Sequence, residues 1–75
     1  MSKAIVLIRL ETGKEMDIEL PLDISADDAI HALHKALKLP GKGMNYLRCE
    51  NPIAMLQGEA PLSAFGIRDG SILYM

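Results

Sequence analysis

Several sets of residues in this chain have side chains that chemistry uses. Asp27, His31 and His34 recur at three- and four-residue spacing, which would put a carboxylate and two imidazoles on one helical stripe, as for a divalent cation. The set is incomplete and exposed, and Lys38 on the same stripe brings a positive charge against any ion, so a solvated polar face is the simpler reading. Cys49 could be a nucleophile, as in thioester chemistry, if a neighbouring base made its thiolate. No histidine is near it in sequence, and strand alternation turns it inward with Leu47, so it reads as a small buried hydrophobe. Gly41-Lys42-Gly43 has phosphate-loop composition but follows a helix and lacks the GKS/T ending and the preceding strand. Ser25 is better used as a helix cap, and Ser63 and Ser71 fall in turns or strand starts, so no Ser/His/Asp arrangement emerges. These residues lead to an expectation of no catalysis, no cofactor and no metal.

The elements that carry these side chains follow from periodicity. Ala4 to Leu10 are mostly aliphatic, "TGK" at 12–14 is a glycine turn, and "EMDIEL" alternates Met16, Ile18 and Leu20 against Glu15, Asp17 and Glu19. Two extended runs about such a turn predict a β-hairpin. In the first strand Val6, Ile8 and Leu10 face a core while Ile5 and Leu7 fall on the opposite side, the pattern of a central strand. Ser25 and the Asp27–Asp28 pair open a helix, Ile30, Leu33 and Leu37 form its apolar stripe flanked by Ala26, Ala29 and Ala36, and Pro40-Gly41 ends it. "NYLRCE" and "IAML" are short strands separated by Asn51-Pro52. "PLSAFGI" supplies Leu62, Phe65 and Ile67 to the core, and Asp69-Gly70 turns into a last strand over Ser71–Met75. One helix packed across one face of a mixed sheet of four to five strands gives an α+β roll.

Composition limits the rest. The 75 residues are 49% apolar and 24% charged, which fits one globular domain over 1–75, near the lower size for a core without staples. A single cysteine excludes an intramolecular disulfide and suits a reducing cytosol, so a cytoplasmic location is expected. "AIVLI" is too short for a secretory h-region or a bilayer span, which argues against membrane insertion. A net charge of −2 with mixed signs, and only Tyr46, Phe65 and Tyr74 as aromatics, leave no footprint for nucleic acid.

The order of elements, with "TGK" before "EMDIEL" and "LSAFGIRDGSIL" leading into the last strand, resembles ubiquitin and the wider β-grasp family over nearly the whole chain. The resemblance implies a ubiquitin-like β-grasp roll with Leu62, Phe65, Ile67 and Leu73 buried, and a loop between Leu20 and Ile30 a few residues longer. Phe65 stands where ubiquitin has a tyrosine whose hydroxyl ties down a backbone turn, so that bond is expected to be missing. Ubiquitin-type modifiers and sulfur carriers share a flexible Gly-Gly tail, narrow enough for its carboxylate to reach an adenylating site. This sequence has no Gly-Gly and ends on Met75 at a strand, so it is expected not to be activated. Aligning the strings puts Glu11, Arg48 and Tyr74 at three positions of ubiquitin's apolar docking patch, which argues against ordinary ubiquitin readers.

Arg48 in "YLRCEN" and the blunt "IRDGSILYM" resemble the YukD/EsaB-type accessory proteins of bacterial type VII secretion. That resemblance implies a cytosolic, non-conjugated binding protein whose partner is a component of the secretion machinery. The alternatives are a sulfur carrier or modifier whose Gly-Gly tail is missing from this sequence, and a ubiquitin-like domain taken from a larger membrane protein. Parallel first and last strands would bring Ile5, Leu7, Ile72 and Tyr74 together on the face away from the helix, bordered by Arg9 and Arg48. These are the candidate protein-binding residues, for a partner protein or a second copy of the chain.

Overall fold

A computed structural model describes residues 2–38 and 46–75. The helix stop at Pro40-Gly41, the Gly41-Lys42-Gly43 stretch and the start of "NYLRCE" lie outside the described residues. The order is β1 (Lys3–Arg9), β2 (Glu15–Pro21), α1 (Ala26–Leu37), β3 (Leu47–Glu50), β4 (Ala54–Leu56), a 3-10 turn (Leu62–Phe65) and β5 (Ile72–Tyr74). They make one mixed sheet in the order β2-β1-β5-β3-β4, with β1 and β5 parallel and the other neighbours antiparallel. This is the α+β roll that the alternation and helix stripe predict.

The hairpin turns at Gly13, whose φ of 91° suits a residue without a Cβ. Alternation then sorts β1, with Ala4, Val6 and Ile8 buried on one side and Ile5 exposed on the other. Ser25 caps α1 by accepting a hydrogen bond from the Asp28 N–H at 3.1 Å, and Asp27 and Asp28 sit at the positive end of the helix. Ala26, Ala29, Ile30 and Leu33 share the core with Val6, Ile8, Leu47, Cys49, Leu56 and Leu73. Ala36 is exposed, because at this spacing it lies off the Ile30–Leu33–Leu37 stripe.

The loop before α1 is held by backbone bonds. Leu22 N–H donates to Ser2 O and Leu62 N–H donates to Ile24 O, while Ser25 and Pro61 form an isolated bridge. Leu62 and Ile67 are buried as expected, whereas Phe65 is half-buried against the rim of the core. A different polar tie holds the approach to β5. Ser71 Oγ donates to Asn51 O at 2.7 Å and accepts from Arg68 N–H at 3.0 Å, and Arg68 Nη2 donates to Asn51 Oδ1 at 2.9 Å. Ser71 is fully buried, and this network satisfies its hydroxyl.

Candidate functional site

The helix covers one face of the sheet, and strand register orders the side chains on the other. Glu15, Arg9, Tyr74, Arg48 and Met55 follow one another across β2, β1, β5, β3 and β4. A second row runs Asp17, Leu7, Ile72 and Glu50, and Ile5 stands opposite Glu19 beyond it. The phase is set from inside: Leu73 and Met75 point into the core, so Ile72 and Tyr74 must point out.

The first row centres on Tyr74. The Arg48 guanidinium carbon lies 4.4 Å from its ring centroid and that of Arg9 lies 5.5 Å away, both within cation–π range. Arg9 also donates from Nη1 to the Tyr74 hydroxyl at 3.3 Å, and its Nε is ion-paired with Glu15. The Tyr74 phenol is held above its ordinary pKa, first by hydrogen bonding with the Glu50 side chain, then by desolvation, against the opposing charges of Arg9 and Arg48. Beside this cluster Arg9, Leu10, Glu11, Arg48, Tyr74 and Met75 line an open depression. Its sides carry two guanidinium groups and a carboxylate, and Leu10 and Met75 supply apolar surface.

The five predicted docking residues therefore share one face, with unequal exposure. Ile5 is 52% exposed and Arg48 is exposed, while Leu7, Ile72 and Tyr74 are half-buried. The arginines that border the patch also lie over its aromatic ring, so the surface is mixed cationic and apolar rather than a bare apolar patch. Met55, at 53% exposure, extends the apolar surface at the β4 edge, and Ile53 in the turn before β4 is 90% exposed. Sequence reasoning passed over Met55, although alternation in "IAML", phased by buried Leu56, places it outward.

The other candidates separate. Asp27 Oδ1 accepts a hydrogen bond from the Gly58 N–H at 2.9 Å, His31 is exposed, and His34 is half-buried with Nε2 lacking a partner among the described residues. No group of three or more ligating side chains occurs among the described residues. Cys49 is fully buried beside Leu47, and desolvation followed by the nearby Glu50 charge pushes its thiol pKa up. No helix among the described residues is long and apolar enough to cross a membrane.

No protein-family model matches the chain. Among solved structures it is similar to the ubiquitin-like domain of Plasmodium falciparum Dsk2, with a TM-score of 0.68 and 17% identity over 97% of each chain. It is also similar to a ubiquitin-like domain from Arabidopsis thaliana, with a TM-score of 0.73 and 15% identity, covering 99% of this chain and 76% of that one. The C-terminal ubiquitin-like domain of mouse tubulin-specific chaperone e gives 0.72 and 17%, covering 96% and 82%. The fold is thus the ubiquitin-like β-grasp. In sequence the chain is 34% identical over 71 residues to chaperonin GroEL 3 of Psychromonas ingrahamii, covering 91% of this chain and 13% of that protein.

Proposed function

We propose that this chain is a non-enzymatic protein-binding module that docks its partner on the outer sheet face through Ile5, Leu7, Arg48, Ile72 and Tyr74. The observation that carries this reading is the set of large apolar side chains left on a face that the helix does not cover, gathered around two arginines on one tyrosine ring. Aromatic and arginine side chains are the residues that anchor interfaces, and Tyr orders at low entropic cost. The ubiquitin-like fold supports the same role.

The sequence resemblance to YukD/EsaB-type proteins supports a finer setting, a cytoplasmic accessory component of bacterial type VII secretion. Use without conjugation is part of that setting, and a sulfur carrier or modifier whose Gly-Gly tail is missing from this sequence is its alternative. The similarity to 13% of a chaperonin favours a second reading, a ubiquitin-like domain carried by a longer polypeptide. The docking face would serve either arrangement.

Affinity retention from cells of origin tests the docking reading. Proteins retained by the wild type should be lost with Ile5→Glu and with Leu7→Glu. They should persist with Lys35→Glu, whose side chain is exposed on α1, away from the outer sheet face. Retention of the same proteins by both sheet-face variants would overturn it.

A further inference from the structure

We propose that the partner on this face presents a side-chain carboxylate to Arg48, from an extended segment with aliphatic residues on both sides of that acid. The inference rests on the docking reading above and adds the chemistry of the occupant.

Arg48 is exposed, holds its guanidinium carbon 4.4 Å from the Tyr74 centroid, and has no carboxylate within ion-pairing distance among the described residues. Arg9, the other cation on that ring, already holds Glu15. The Arg48 side chain is exposed, and the planar N–H fork of a guanidinium matches the two oxygens of a carboxylate. The contact with the ring also restricts the arginine before binding, so less ordering remains to be done when a partner arrives.

The surroundings select among anions. Glu11 lines the same depression, and Glu50 is two residues along β3 on the same face. A polyphosphate chain would meet these carboxylates at successive phosphates, whereas one carboxylate between apolar neighbours need approach only Arg48. Met55 adjoins Arg48 on the β4 side, and Ile72 and Leu7 lie beyond it on the β5 and β1 side. A segment running across the face covers both apolar flanks. A chain-terminal carboxylate has residues on one side only and would leave one flank wet.

The test uses three short synthetic peptides that differ only in a central Glu, Gln or Lys between valines, titrated into the isotope-labelled full chain and followed by NMR. The Glu peptide should bind at least about tenfold more tightly than the Gln peptide. Its shifts should centre on the Arg48 Nε–H and on Ile72 and Tyr74. Arg48→Gln should erase the Glu-over-Gln preference, and Arg48→Lys, which keeps charge without the planar edge, should erase most of it. Equal affinity for the Glu and Gln peptides, with shifts on this face, would overturn the inference and leave the docking reading standing. Tighter binding of a thymidine oligonucleotide at the same residues would overturn it in favour of phosphate. Absence of shifts with every peptide would also overturn it, and the retention experiment would decide the docking reading separately.

Discussion

Arg48 on β3 holds its guanidinium 4.4 Å from the ring centroid of Tyr74, its register partner on β5. Arg9, the partner of Tyr74 on β1, reaches the same ring from the neighbouring strand on the other side. The half-buried ring therefore carries a cation from each neighbouring strand on the solvent face. β5 faces both ways: Leu73 completes the core while Ile72 and Tyr74, one residue either way, lie on the outer sheet face.

That division of β5 predicts unequal costs for neighbouring truncations. Leu73 is fully buried, so Leu73→Ala should destabilise the domain by about 2–5 kcal/mol through lost burial and a residual cavity. Ile72→Ala, at a half-buried position on the outer face, should cost clearly less. Chemical denaturation of both variants checks this, and equal losses would mean that the outer face is packed like a core.

The Ser71 hydroxyl should matter more than its size suggests. Ser71→Ala removes the donor to Asn51 O and the acceptor for Arg68 N–H from a fully buried position between two exposed turn residues. Leaving those groups without partners should cost about 1–3 kcal/mol. Unfolding of the variant by urea measures it, and wild-type stability would show that the network is dispensable.

Much of this was legible in the sequence because periodic signals are local. The alternation of "EMDIEL", the Ser25 cap and the Ile30–Leu33–Leu37 stripe each depend on neighbours within one element, and each was readable from spacing alone. The pairing of β1 with β5 is not local; the resemblance to ubiquitin-like proteins supplied it, and with it the membership of the proposed docking face. The Asn51–Arg68–Ser71 network could not be read, since it ties Asn51 to side chains 17 and 20 residues away through turn geometry. The cover over Tyr74 was missed for a related reason. Placing Arg9 and Arg48 at the border of the patch does not reveal that long side chains fold over its centre.

Cys49 should react slowly with a thiol reagent until the domain unfolds. Its raised pKa, caused first by desolvation and then by Glu50, means that the folded state keeps the proton longer than the unfolded state. The corresponding stability is fully present below the ordinary thiol value of about 9 and is lost as pH rises beyond it through the folded value. Unfolding free energy against pH should therefore fall more steeply above pH 9 for wild type than for Cys49→Ala. The cavity left by alanine lowers stability equally at every pH and does not alter that comparison. Parallel pH curves, or rapid stoichiometric labelling of the native chain, would contradict the buried assignment.

Substitutions at Tyr74 separate a docking residue from a core residue. Tyr74→Phe keeps the ring over which both arginines lie and loses the long 3.3 Å bond from Arg9 together with the interaction with Glu50. It should fold and bind nearly as wild type does. Tyr74→Glu leaves no large cavity at a half-buried position and sets a carboxylate between two guanidinium groups, so it should also melt close to wild type. The same carboxylate would engage Arg48 as an acidic partner is proposed to do, and the aromatic ring would be gone. Partner affinity should then fall by about tenfold or more in Tyr74→Glu while Tyr74→Phe retains it. Melting temperature and sedimentation of the complex, measured on the three chains side by side, distinguish the outcomes. A Tyr74→Glu chain that melts far below wild type would make Tyr74 a core residue, and one that melts normally yet keeps every partner would make the face idle.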